Sequence, residues 1–515
     1  MSEKPELILM SDCIYTAAGS APFSGYVAVE NGIITAAVEG TVPPEMIGKD
    51  TRVLKLGSRT VTPGFIDVHC FFTGYVVRFL GADLSRCGNA EEVISMLNDC
   101  AEQLPGHYPL LGHGLRFAIP AEVLDEAYGK RPTVLFIEGC ESCAMNTAAV
   151  EAYHFDPEHC WPEAYVAIFP YILGDKEFIR PQFIEYMKMM NSHGVTSVKE
   201  MGFDDFYGFD EVLSELEAKD ALTLRVNFMS QPVAREIDFE YGERMRDRFQ
   251  GAKVSFSGYN QMTDGSVSEY KAELKRPYNG TDSCCEEKID WQKLEDWTLE
   301  ADRRGFRFSL HAQGDGAVAR TLDIYEKCGR DENGKVLLRQ AITDLEFTDP
   351  IDLERMGRLG VIAEIYPQIQ SIAQRDSKLA MIREKIGEER GAFYWNRRKM
   401  ADSGVTISCG TDLPLLIDDI PQSVYHAVGG YFPEGGEPFN LKNMLTRREL
   451  VDAWTRGGAW NLGKEDSLGT LEAGKMADIA VLSGDLFTVP LEDIRDLKVC
   501  LTVCDGKIVY EGDNL

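Results

Sequence analysis

The sequence predicts an α/β fold: a (β/α)8 TIM-like barrel joined to a composite β-sandwich that both chain termini build, with an inserted segment. Three observations predict it. The middle of the chain alternates apolar strand-like runs with helical stretches, the pattern of parallel βαβ units. Short strand-like segments separated by turn signals stand at both ends of the chain. Between them an apolar run opens on Pro63-Gly64 and closes on His69, which reads as a buried strand delivering an imidazole to its C-terminal end, where such barrels carry their sites.

The N-terminal part holds Leu7-Ile-Leu-Met10, Gly25-Tyr-Val-Ala-Val29 and Gly32-Ile-Ile-Thr35, with Asn31-Gly32 as a hairpin turn. Asp478-Ile-Ala-Val-Leu482, Val499-Cys-Leu-Thr-Val503 and Ile508-Val-Tyr510 repeat this character, so residues 1–60 and 465–515 are assigned to one sandwich. The barrel is assigned to 61–464. Its strand candidates are 61–69, 133–137, 195–198, 222–227, a run within 252–263, 306–311, 341–347, 360–365 and 405–409. That is one more than eight, and 222–227 is demoted or merged with a neighbour; the count suggests a barrel without fixing it. A segment of about 75–190, with helical periodicity at Ala90–Asp99, is read as an insertion over the barrel mouth, and helices are expected at 292–304, 315–328, 376–387 and 447–461.

Composition narrows the function. A net charge of −30 over 515 residues argues against nucleic acid and anionic membrane as partners, since phosphate binding needs basic surface. No apolar run approaches the ~20 residues of a membrane span, and Met1-Ser-Glu-Lys-Pro-Glu6 lacks a signal-peptide profile. The thirteen cysteines are scattered and are expected as reduced thiols of a cytoplasmic protein. A small-molecule substrate is expected, and a homo-oligomer is left open.

Polar residues at strand ends carry the chemistry. His311 closes Ser-Leu-His-Ala-Gln-Gly-Asp315, Asp412 follows Ser-Cys-Gly-Thr, and His69 stands in Pro-Gly-Phe-Ile-Asp-Val-His-Cys-Phe71. Lys199-Glu200 end another strand, offering an amine among apolar walls as a base. His113 and Glu141 are further acid or base candidates. There is neither a phosphate-binding glycine loop nor a Gly-x-Ser-x-Gly elbow.

These motifs, with Asn146 in Ala-Met-Asn-Thr-Ala-Ala, Asp264-Gly265-Ser266 and Gly469-Thr-Leu-Glu-Ala-Gly-Lys-Met-Ala-Asp478, closely resemble amidohydrolase family 3, the branch containing N-substituted formamide deformylases. The resemblance spans roughly 7–510. It implies a barrel with a terminal sandwich and a metal site built from a His-x-His pair, a strand-four lysine, two further histidines and an aspartate. Carried over, His69, His311 and Asp412 keep the pattern. Phe71 replaces the second histidine, Asn260 falls near the lysine, and Glu346-Phe347 stands for the family's Glu-His. Two imidazoles and a carboxylate match the three-ligand plan of a catalytic zinc site, with Asp412 also the proton shuttle that the resemblance implies.

Phe71, Phe347, Asn260 and Tyr270 become candidate substrate contacts. The expected activity is hydrolysis of a non-peptide C–N bond, in an amide or cyclic amide, with at most one divalent metal, zinc by donor type, or none. Two alternatives are kept: a metal-free isomerase or lyase using Lys199, Glu141 or a histidine, and a catalytically silent binding scaffold.

Overall fold

The computed structural model describes residues 4–513 except 138–141, 155–166, 169–171, 203–207, 234 and 417–419. Eight parallel strands form its centre: β1 (Phe65–Cys70), β2 (Val195–Glu200), β3 (Arg225–Ser230), β4 (Val254–Met262), β5 (Phe308–Ala312), β6 (Ala341–Asp344), β7 (Ile362–Ile365) and β8 (Ile407–Cys409), hydrogen-bonded in that order. The chain beyond β8 closes the ring on β1: Asp412 N donates to His69 O and Phe71 N to Leu413 O, both at 2.8 Å. Only glycine fits at 410, where an added Cβ would lie 2.6 Å from the Cβ of His69.

The helices expected in the barrel region are Trp291–Arg303, Asp315–Tyr325, Arg375–Lys385 and a run from Arg447 to Leu462 interrupted by one wide turn. Asp290 caps the first, and Thr446 with Glu449 forms a reciprocal capping box on the last.

Two strand assignments change. Residues 225–230 are a barrel strand, whereas Thr133–Ile137 pairs in a separate four-stranded sheet with Cys143–Met145, Leu110–Leu115 and Ala82–Asp83. The physical reason is burial. Val134 and Phe136 face the main core while Leu135 faces a second apolar cluster, so both faces are covered and the run looks like a parallel strand. In β3, Val226 and Phe228 pack in that main core, whereas Arg225 and Asn227 engage polar partners, which breaks the apolar run that sequence reading looks for.

Strands from both termini share one continuous eight-stranded sheet over a common apolar core that includes Leu9, Val29, Val61, Ile479 and Val503. Asp478 of the C-terminal motif ties this sheet to the barrel, accepting from Arg225 Nε (2.8 Å) and Nη2 (3.0 Å) with both side chains buried. Residues 176–192, at the end of the segment read as an insertion, form a helix whose Tyr186 bonds Glu200 of β2.

Cysteine usage departs from expectation. Ten described cysteines are free, but Cys143 is disulfide-bonded, its partner lying outside the described residues. No described helix is long and apolar enough to cross a membrane.

Candidate active site

The barrel interior is polar from end to end. Ser197, Lys199, Asn227, Asn260, Ser309, Thr343, Glu364 and Ser408 are all buried. Two groups of side chains divide it, one at the C-terminal ends of the strands and one below.

The upper group consists of two imidazole–carboxylate pairs. His69 Nε2 at the end of β1 lies 3.7 Å from Asp412 Oδ1, and His311 Nε2 on β5 lies 3.2 Å from Asp344 Oδ2 at the end of β6. Asp344, Leu345 and Asp412 all have left-handed backbone (φ 77°, 61° and 51°), conformations that non-glycine residues adopt at a cost and that gather at functional sites. Around the His69 ring stand the edge of Phe71 and the ring of Tyr366, each with its centroid 5.4 Å away.

Electrostatics sets the two pairs apart. Burial pushes the Asp412 carboxyl up to about 6; Asp344 adds to this, while His69 and His311 oppose it. Burial alone would lower His311, but the bond to Asp344 and the charges of Asp264 and Asp412 raise it above the ordinary histidine value. Asp412 is therefore a carboxylate near the basicity a proton acceptor needs, facing an imidazole that favours its protonated form. His311 Nδ1, Asn260 Oδ1 and Gln313 Oε1 are buried without hydrogen-bond partners among the described residues, and can serve a polar substrate.

The lower group is an ion cluster. Lys199 Nζ donates to Glu364 and to Asn461 Oδ1 (3.0 Å), and Arg307 Nη2 lies 3.5 Å from the same Glu364 oxygen. Burial would raise the Glu364 carboxyl, yet Lys199, His69 and Arg307 hold it well below the usual carboxylate range. Its other oxygen, Oε2, is 3.5 Å from His69 Nδ1, linking the two groups.

Two further carboxylates are scaffolding. Asp67 accepts from Thr411 Oγ1 (2.7 Å) and from the amides of His69 and Thr411 (3.1 Å each), pinning β1 to the β8 turn. Asp264 accepts from the amides of Glu273, Gln313 and Gly314 at 2.8–2.9 Å.

The expected site residues are thus sorted. His69 and Asp412 stand side by side at the end of β1 and in the turn after β8, and His311 stands on β5 across the barrel. Phe71 stands beside His69. Asn260 is buried within β4, its amide donating to Gln231 Oε1 at 2.8 Å. Lys199 faces Glu364 inside the barrel, fully buried, so it is no free base at the mouth. His113 lies on Leu110–Leu115 of the four-stranded sheet, not at a barrel strand end. Glu141 lies outside the described residues.

Phe347 and Tyr270 pack into an aromatic layer with Tyr278, Tyr394 and Trp395, where the ammonium of Lys385 sits 3.5 Å over the Tyr270 ring. The side chain ending β6 is Asp344, three residues before Phe347. Asp344, Glu364 and Tyr366 were missed, although Asp344 was legible as the carboxylate directly following the apolar run Ala341-Ile-Thr343.

The donor set does not fit the expected zinc centre as arranged. Among the described residues no three His, Cys, Asp or Glu side chains converge so as to hold one ion. Each strand-end imidazole turns its Nε2 to a carboxylate.

The profile of the family described as the amidohydrolase family matches residues 181–510. The chain belongs to the amidohydrolase family. Among relatives of this amidohydrolase, a putative amidohydrolase of Bacillus subtilis, YtcJ, is 24% identical over 534 residues, covering 97% of this chain and 98% of its own. The N-substituted formamide deformylase of Arthrobacter pascens is 26% identical over 219 residues, 42% of this chain and 39% of its own. An uncharacterized metal-dependent hydrolase from Pyrococcus horikoshii superposes with a TM-score of 0.74 at 19% identity, over 94% of this chain and 99% of that one; at such identity the likeness is one of fold.

Proposed function

We propose that this amidohydrolase hydrolyses a non-peptide C–N bond in a small amide or cyclic amide, using its strand-end imidazole–carboxylate pairs. The observation that carries the reading is the placement of Asp412 and of the His311–Asp344 pair at one barrel mouth, close enough that His69, His311 and Asp344 all act on the Asp412 carboxyl. Asp412 takes a proton from water as its oxygen attacks the carbonyl carbon. Protonated His311, steadied by Asp344, faces the oxygen that gains charge and then gives its proton to the nitrogen as the C–N bond breaks. His69 orients Asp412 and is itself oriented by Glu364.

The relatives support the bond type: one is named a formamide deformylase and another, from Streptococcus sanguinis, an imidazolonepropionase, 22% identical over 91% of this chain and 86% of its own. At most one divalent cation is expected, because Phe71 and Asn260 stand at positions where the family resemblance places metal donors.

A panel of N-formyl amines, linear amides and cyclic amides, assayed for release of carboxylate and amine, tests the reading alongside metal analysis of the purified protein. Turnover of one class with no more than one metal per chain is expected. Failure to hydrolyse any class, or two metals per chain, would overturn it.

A further inference from the structure

A polar cavity opens at the face of the barrel opposite the strand-end site. It measures about 400 Å³ and lies where β4 and β5 begin and the last helix, Gly458–Leu462, ends. Its polar lining comes from Ser255, Ser257, Arg307, Arg339, Asn461 and Lys464, and its three ionisable residues are all basic, although the chain carries a net charge of −30.

These cations are not equally engaged. Arg339 grips Glu465 with two nitrogens (2.8 and 2.6 Å) and Trp460 O at 2.7 Å, so its charge is answered. Arg307, only 7% exposed, gives Nη1 to Asn461 and turns Nη2 toward Glu364, while its Nε is buried with no partner among the described residues. Lys464 is half-buried and forms no ion pair among the described residues.

Beneath the cavity Lys199 and Arg307 share one carboxylate, Glu364, and Asn461 Oδ1 accepts from both side chains; burial lowers the Lys199 ammonium to about 7, so Arg307 is the fixed charge there. An oxyanion seated here would accept from the Lys464 ammonium and the Ser257 hydroxyl, beside the buried Arg307 guanidinium, the charge-assisted contacts such groups make best.

We propose that this cavity is a binding site for a small oxyanion, a phosphate or carboxylate group, separate from the strand-end site. The proposal does not rest on the hydrolytic reading, because binding is measured without turnover.

The test is calorimetric titration of the full chain with inorganic phosphate, and separately with sulfate and acetate, at constant ionic strength set by chloride. Saturable binding at one site is expected, with affinity falling about ten-fold in Lys464→Gln, the loss of one charge-assisted bond. Lys49→Gln, in an exposed turn before a strand of the terminal sheet, should leave binding unchanged. Tighter phosphate than acetate assigns a phosphate group and the reverse a carboxylate; either supports the site. Arg307 also holds Asn461 and Glu364 and its variants risk misfolding, so Lys464→Gln, checked by thermal melting, carries the test. No saturable binding of any of the three anions, or equal binding in Lys464→Gln and wild type, overturns it.

Discussion

Both polar layers of the barrel set basic groups against carboxylates, and they differ in how far solvent reaches them. Below, Lys199, Glu364, Arg307 and Asn461 hold one another in a cluster from which solvent is almost wholly excluded. Above, His69 and Asp412 stand 3.7 Å apart, Asp412 keeps 28% of its side chain exposed, and its backbone is left-handed. A buried group held by its neighbours stabilises; a group left partly exposed at a strand end is available to a substrate. By this criterion Lys199, attractive as a base in sequence, belongs to the fold, and Asp412 to the chemistry.

The sharpest way to break this contrast is to neutralise one member of each layer. Asp412→Asn should lower turnover of a hydrolysed amide by about 10²–10⁴-fold, the range for losing a general base, without lowering the melting temperature at pH 7. The sign follows from the raised carboxyl: the folded protein holds that proton more tightly than the unfolded chain between about pH 4 and 6, so ionisation costs stability as pH rises through that window. Removing the charge removes that cost.

Lys199→Met should do the opposite, costing about 3–5 kcal/mol in urea denaturation by stranding Glu364, with much of it recovered in Lys199→Met/Glu364→Leu. A Lys199 variant that keeps its stability and loses only activity would place lysine in the chemistry after all.

Asp344→Asn offers a finer probe. Without that carboxylate His311 loses the main interaction raising it, so the high-pH limb of the rate profile should move to lower pH. An unmoved limb would separate Asp344 from catalysis. The smallest effect is expected from Phe71→Ala, whose ring stands edge-on to His69: KM for a ring-bearing amide should rise about 3- to 10-fold with kcat nearly unchanged, the scale of one lost apolar contact.

Much of this was legible in the sequence because strand ends and glycine turns are local signals. Pro63-Gly64 to His69, Ser-Leu-His311 and Gly-Thr-Asp412 each announce a strand by its apolar run and a site by the polar residue closing it. What escaped depends on contacts between distant segments. Glu364 sits within an apolar strand, and nothing local says that Lys199, 165 positions earlier, answers it. Thr133–Ile137 reads as a barrel strand because burial on both faces leaves the same apolar run in any sheet. Asp344 was passed over for Glu346-Phe347 because β6 ends in two consecutive left-handed residues, a break that hydrophobic periodicity does not mark.

The pH dependence of kcat/KM in wild type and Asp412→Glu, measured on one hydrolysed amide, tests the central claim most directly. If Asp412 is the proton acceptor, wild-type activity falls away below about pH 6 and the position of that limb changes in the glutamate variant. An acid limb that stays at the same pH in both proteins would contradict it.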